Sequence, residues 1–425
     1  MLKTRLEKKM TAKSPNFNRT RLSCFYAYLS MASVFSVPPI LFVTFREMYG
    51  ISYTLLGTLV LINFCTQLTI DLIFSFFAKY FNIHTTVKIM PLLTSIGLLI
   101  YALIPSFFPN IAYLGLVVGT IIFSVSAGLS EVLLSPLVAA IPSKHPEKDM
   151  SMLHSLYAWG VLVMVVISTV FLSIFGRENW MFLVVLLALF PLVASYLFAT
   201  SPMPEMNLSH AVGSSVSAKK NIGLALCIAC IFLGSCAENT MSNWISGYME
   251  NALQIPKAMG DIFGMALFAI LLGAVRTWYG KKGGNISNVL LVGMIGAASC
   301  YLVIGLSRNT LLGFLACIFT GCFTSMLWPG TLILMEEKIP HVGVAAYALM
   351  AAGGDFGASL APQMLGIIVD KVAASSWAAE MAPALALTTE QLGMKTGMFT
   401  AAFFPILGTF LLLFMKRYFS KTGNE

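Results

Sequence analysis

Long apolar runs recur along the whole chain, each about 20 residues or more and each closed by a short polar break. A helix rises about 1.5 Å per residue and a bilayer core is about 30 Å thick, so every run is long enough to cross it. The pattern predicts twelve helices, at approximately 21–45, 54–79, 88–108, 112–141, 151–176, 179–200, 221–248, 257–280, 287–306, 309–336, 343–370 and 396–416. Breaks as short as 46–53 favour a helical bundle over a barrel with its weaker, alternating signal. The expected fold class is therefore an all-α integral membrane protein.

The polar break at 201–220 holds Pro202 and Pro204 and divides the chain into two sets of six runs, 21–200 and 221–416, flanked by tails at 1–20 and 417–425. Shifting the first set by 193 positions carries Gly128, Pro136 and Gly160 onto Gly321, Pro329 and Gly353, while Glu131 lands on Thr324. The fourth and tenth helices read as one element used twice.

Composition agrees with the pattern: 58% of residues are hydrophobic and 10% charged, where soluble domains carry about 25% charge. Twenty of the 26 Lys and Arg fall in the tails and the loops on their side, against six (Arg46, Arg177, Lys257, Arg308, Lys371 and Lys395) on the other. The positive-inside rule then places both termini in the cytoplasm of a multi-pass protein of the cell membrane. The net charge of +8 is a topology signal, and no interleaved basic and aromatic patch suggests nucleic acid. The first apolar run is about 25 residues long without a small-residue cleavage site, so it reads as a helix rather than a signal peptide. All eight cysteines lie within spans and imply no disulfide framework.

Ionisable residues inside spans are the informative exceptions, because an acid at a helix centre costs about 2.5–3.5 kcal/mol to insert. On the fourth helix Ser124, Gly128, Glu131 and Ser135 share a face, and on the second Asn63, Gln67 and Asp71 recur every fourth residue. The seventh carries Glu238, Asn239, Ser242 and Trp244, the last readable as interfacial belt or solute platform. The eleventh places Asp355, Ser359 and Gln363 four apart beside Pro362, in a stretch able to bend around a cavity. The fifth opens with His154, Tyr157 and Trp159, and the tenth holds Trp328. Glu131, Glu238, Asp355 and Asp71 are candidates for cation coupling. Asn63, Gln67, His154, Tyr157, Trp159, Asn239, Trp244, Trp328 and Gln363 are candidates for solute contact. The eighth helix shows no comparable stripe, and the outer segment 373–393 reads as a surface helix or lid.

The segments SFFAKYFNIH after the second helix and GAVRTWYGKK after the eighth are worn versions of a GxLaDRxGRK loop. With the paired six-helix sets, they resemble the major facilitator superfamily, although Lys79 and Tyr80, and Thr277 and Trp278, stand where that loop has Asp and Arg. GLSEVLLSP around Glu131, LHSLYAWG around His154 and AENTMSNWISGY around Glu238 resemble the fucose:proton symporters within it. That resemblance implies a sugar moved with a cation, Glu131 as the titrating or substrate-coupled acid, and His154 at a sugar-contacting position. Fucose permeases also carry an acid on the first helix, where this chain offers Ser, Tyr, Pro38 and Pro39.

The expected function is secondary transport of a small polar solute, a monosaccharide first, by alternating access coupled to protons or sodium. The alternative is a proton-driven exporter of amphipathic cations, since acids with aromatic walls suit both. An enzyme is not expected, because no HExxH, GxSxG or P-loop occurs. No cofactor is expected beyond the coupling ion, and the expected state is a monomer in the bilayer.

Overall fold

The computed structural model describes residues 17–77, 80–143, 146–204, 218–339 and 344–422, and every regular element among them is helical. Ten of its helices are long and apolar enough to cross a membrane. They are α1 (Asn18–Tyr49), α2 (Tyr53–Phe74), α3 (Ile83–Phe107), α4 (Pro109–Leu134), α6 (Arg177–Ala199), α7 (Ile222–Asn251), α8 (Lys257–Tyr279), α9 (Ile286–Leu306), α10 (Thr310–Lys338) and α12 (Thr389–Ser420). Two further helices of 30 residues each, α5 (Pro146–Phe175) and α11 (Val344–Ala373), have the length to cross as well. An even number of crossings puts both ends of the described chain on one face of the bundle, called here the terminal face.

The short polar breaks do local work at helix ends. Asn82, Asn285 and Asn309 each accept a hydrogen bond from the backbone N–H three residues on, satisfying a donor that the first helical turn leaves open. Gly50 closes α1 with φ of 64°, a left-handed position that favours glycine. Thr388 and Gln391 form a reciprocal capping box, which starts α12 at Thr389 rather than at 396. The segment 373–393 is accordingly a surface helix, Ser376–Ala384, followed by the first turn of α12. Lys395, expected in a loop, is buried and donates to the Ser307 carbonyl at the C-terminal end of α9, where a cation meets the negative end of the helix dipole.

The sequence repeat has a geometric counterpart in helix contacts. Gly128 of α4 lies against Gln67 of α2, and Gly321 of α10 lies against Phe268 of α8; Gly160 of α5 lies against Leu29 of α1, and Gly353 of α11 against Ile228 of α7. A side-chain Cβ at Gly160 would sit 2.6 Å from the Leu29 carbonyl oxygen, so small residues permit these crossings. The element pairs are the same in each half of the chain, offset by six helices.

The halves meet along a seam between α2 and α11. Gly57 faces Gln363 and the Pro362 carbonyl, and Gly366 lies against the Tyr53 carbonyl, with no room for a Cβ at either position. Tight backbone approach joins the halves on the face opposite the termini and leaves space deeper between them.

A central cavity with a charged floor

That space is a cavity, with about 900 Å³ outside the protein atoms when its open mouth is included. α1, α2, α4 and α5 line it from one half, and α7 and α8 from the other. Pro38 and Pro39 sit inside α1 and line the cavity beside Ser36. Most of the wall is apolar, including Phe35, Phe64, Phe123 and Phe268, and it is punctuated by Ser36, Asn63, Thr120, Tyr157, Glu238, Asn239, Ser242 and Asn243.

Local bonds aim several of these groups. Gln67 donates to Asn63 Oδ1 at 3.0 Å and Ser124 donates to the same oxygen at 2.6 Å, so the predicted faces of α2 and α4 do converge. Asn239 Nδ2 bonds Ser235 one turn earlier, and Asn243 Nδ2 bonds the Asn239 carbonyl. Asn63 Oδ1 and the Asn239 and Asn243 amides are thereby held in fixed orientations at the wall.

Glu238 has a partner that the sequence pattern does not single out. Arg276 Nη2 lies 3.0 Å and 3.2 Å from its two carboxylate oxygens, and Arg276 Nε donates to the Ser325 carbonyl at 2.8 Å. Three features of the chain produce this cluster. Side chains on a helix lean toward its N-terminus, so Glu238 on α7 and Arg276 on the antiparallel α8 lean toward each other. Arg276 lies one turn beyond Leu272, which lines the cavity, and meets the wall through Glu238. Pro329 lacks the N–H that would bond the carbonyl four residues earlier, which frees the Ser325 oxygen at the break between the two segments of α10. Arg276 was legible only as part of the worn loop motif GAVRTWYGKK, where an arginine near a helix end reads as solvated.

Toward the terminal face, Asp71 of α2, Glu131 of α4 and Asp355 of α11 converge, with one carboxylate oxygen from each lying within 4.8 Å of the others. Asp71 and Asp355 are buried, and Asp355 Oδ2 is enclosed without a hydrogen-bond partner among the described residues. The cluster spans the two halves, with α2 and α4 on one side and α11 on the other. A triad of acids on three helices has the donor chemistry for a proton or a small hard cation. Thr324, the repeat counterpart of Glu131, donates to the Thr320 carbonyl on its own helix and joins no such cluster among the described residues.

A model of the Major Facilitator Superfamily matches residues 23–362. The chain belongs to the major facilitator superfamily. No curated protein sequence matches it. Among solved structures, a bacterial homologue of the human lysosomal transporter Spinster, in an inward-facing and occupied conformation, is similar with a TM-score of 0.73 at 13% identity, covering 96% of this chain and 99% of that one. A D-xylose–proton symporter gives 0.72 at 15% identity over 91% and 96% of the two chains, and the nucleoside transporter NupG gives 0.65 at 14% over 93% and 98%. These likenesses are of fold, and they fit a secondary transporter built as a multi-pass membrane protein.

Across this major facilitator fold, a latch ties the halves on the face opposite the termini. Glu390 of α12 pairs with Arg46 at 2.9 Å and accepts a hydrogen bond from the Tyr53 hydroxyl, while the Arg46 guanidinium lies 4.1 Å from the Tyr53 ring centre. Asp370 of α11 accepts the backbone N–H groups of Tyr53 and Thr54 at 3.2 Å and 2.6 Å, capping the start of α2 from the other half. Arg177 of α6 pairs with Glu250 of α7 and with Glu47 at 3.1 Å. A second cluster joins Lys257 to Asp261 at 3.3 Å, with Ser246 donating to Asp261 at 2.5 Å.

Several predicted solute contacts take other places in this superfamily member. Trp159 is 58% exposed on the bundle surface, because its side of α5 faces away from the cavity. Trp244 is 1% exposed and neither lines the cavity nor sits in an interfacial belt. Its indole N–H donates to the Pro362 carbonyl at 3.1 Å, and its ring lies 5.6 Å from both Phe42 and Tyr53, packing the seam between the halves. Trp328 packs over Gly354, and Gln363 lies against Gly57 in the α2–α11 seam; neither lines the cavity. Gln67 acts one residue removed from the cavity, through Asn63. Asn63, Tyr157, Glu238 and Asn239 reach the wall itself. The side chains of His154 and Ser135 lie outside the described residues.

Proposed function

We propose that this chain transports a small polar solute of monosaccharide size across the cell membrane, driven by co-transport of a proton or sodium ion, with both termini in the cytoplasm. The observation that carries this reading is the pairing of a polar-studded cavity between the halves with a triad of carboxylates bridging them below it. Three like charges within 4.8 Å repel by on the order of 3 kcal/mol per pair at an effective dielectric near 20, and more in a drier setting. A bound cation removes that repulsion and favours approach of α2 and α4 to α11 on the cytoplasmic side. Without it, the halves part there while the opposite latch holds. Coupling then arises because the cation and the solute favour the same change of state.

The polar wall suits hydroxyl groups, with Asn63, Asn239 and Asn243 as amide partners and the Phe side chains as apolar faces. The shared fold with a protein named as a D-xylose–proton symporter agrees with a sugar-sized solute. Export of amphipathic cations is less well supported. Glu238 is the one carboxylate on the cavity wall among the described residues, and Arg276 already neutralises it.

The test is uptake into proteoliposomes under an imposed proton or sodium gradient, with Glu131→Gln as the key variant. Solute exchange is expected to persist while gradient-driven accumulation is lost. Full accumulation by Glu131→Gln would remove the triad from the mechanism.

A further inference from the structure

The three acids toward the terminal face carry the ligand set of a metal site as well as that of a coupling site. Resting on the reading of this triad as a cation site, we propose that Asp71, Glu131 and Asp355 also bind a hard divalent cation of calcium's size, which locks the halves together there and arrests transport.

Geometry sets the size of the ion. One oxygen from each acid lies within 4.8 Å of the other two, and three atoms so placed share a centre within 4.8 Å/√3, about 2.8 Å, of each. Calcium takes oxygens at about 2.3–2.6 Å in flexible geometry, so small shifts complete its contacts, with water filling the remaining positions. Magnesium demands about 2.0–2.1 Å in a near-ideal octahedron and gives up its water reluctantly, which suits this looser triangle less well.

The donors set its kind. Among the described residues the group holds carboxylates and no histidine or cysteine, a set that favours hard cations over zinc or copper. Neither Glu131 nor Asp355 forms a salt bridge with lysine or arginine among those residues. Asp355 is 4% exposed and its Oδ2 is enclosed without a hydrogen-bond partner among them. That oxygen lacks the compensation a buried carboxylate requires, and a metal ion supplies it. Glu131 is half-buried beside two buried partners, which gives an ion from water its way in.

Charge separates this ion from the coupling ion. Against three ionised carboxylates, a monovalent cation leaves two negative charges and a divalent one leaves one, so the divalent ion is held more tightly and leaves more slowly. Its ligands come from α2 and α4 in one half and α11 in the other, which makes it a cross-link on the terminal side. Alternating access requires the halves to part there, and a retained cross-link prevents it.

The experiment uses the purified full-length protein, with Mn²⁺ as the probe because its free form gives an electron paramagnetic resonance signal that is lost on binding. One tight Mn²⁺ per chain is expected, displaced by Ca²⁺ at a concentration tenfold or more below that needed of Mg²⁺ or Na⁺. Asp355→Asn and Glu131→Gln are each expected to weaken it tenfold or more, while Glu380→Gln, at an exposed acid of the surface helix, leaves it unchanged. Thermal unfolding separates lost binding from lost folding: each triad variant is expected to unfold cooperatively, at a midpoint that Ca²⁺ no longer raises. The lock is read in proteoliposomes, where Ca²⁺ on both faces is expected to speed maleimide labelling of Ser36→Cys from the side opposite the termini at least threefold. Absence of a tight Mn²⁺ site, a site indifferent to both triad variants, or equal displacement by Na⁺ and Ca²⁺ would overturn the divalent assignment. Unchanged labelling of Ser36→Cys would overturn the lock. Neither result touches the transport reading, whose own test is accumulation by Glu131→Gln. Full accumulation by that variant, alongside a Mn²⁺ site that both substitutions weaken, would remove the triad from coupling and leave the metal site standing.

Discussion

Single side chains divide here into those that meet the solute space and those that meet each other. Asp355 has a buried oxygen without a partner among the described residues, at the meeting point of three acids, so under the proposed coupling its charge is stabilised by the entering cation. Asp355→Asn is expected to retain expression and folding but to cut gradient-driven accumulation at least tenfold, checked by radiolabelled uptake with and without the gradient. Ser124 and Gln67 share Asn63 Oδ1 and fix that amide. Gln67→Leu, which removes one of the two donors, is expected to raise the solute KM several-fold with a smaller effect on the maximal rate, measured in the same vesicles. The difference follows from distance: Gln67 acts through a neighbour, whereas Asp355 sits in the proposed coupling cluster itself.

At the level of helices, the seam between α2 and α11 depends on glycine. Gly366 lies so close to the Tyr53 carbonyl that any side chain must push the helices apart. Gly366→Val is therefore expected to favour the state open opposite the termini, read as faster labelling of a cysteine introduced at Ser36 by a membrane-impermeant maleimide from that side. The twelve spans were legible because hydrophobic length is a strong signal and needs no tertiary knowledge. The start of α12 was not, since Thr389, Glu390, Gln391 and Lys395 read as loop until Arg46, Tyr53 and the Ser307 carbonyl are seen to satisfy the two charges. Asn63, Glu238 and Asn239 were legible as polar residues on helical faces. Their partners were not: Asp71 and Asp355 lie on helices nine spans apart, and Arg276 meets Glu238 only because α7 and α8 are antiparallel and Pro329 frees a carbonyl. Trp244 shows the converse limit, because sequence does not separate a tryptophan at the bilayer interface from one sealing a seam.

Across the whole molecule, charge is arranged in three layers: a latch opposite the termini, a neutralised pair at the cavity floor, and a triad of acids toward the terminal face. The latch side chains are partly accessible, with Arg46 and Glu390 near one-third exposed, so salt screens them, while the triad, with Asp71 and Asp355 buried and Glu131 half-buried, is screened less. Raising ionic strength is expected to loosen the latch first, and Glu390→Gln to reproduce that change at low salt, both measured as accessibility of the Ser36 cysteine. One half of that latch has a further property. Asp370 grips the backbone of Tyr53 and Thr54, not their side chains. Almost any residue at 53 or 54 still presents the required N–H, so mutational drift on α2 leaves this catch in place. Only proline at those two positions, or a change at 370 itself, releases it. A closing element with its receptor written in the main chain is inherited with the fold, and its strength is open to tuning from the α11 side alone.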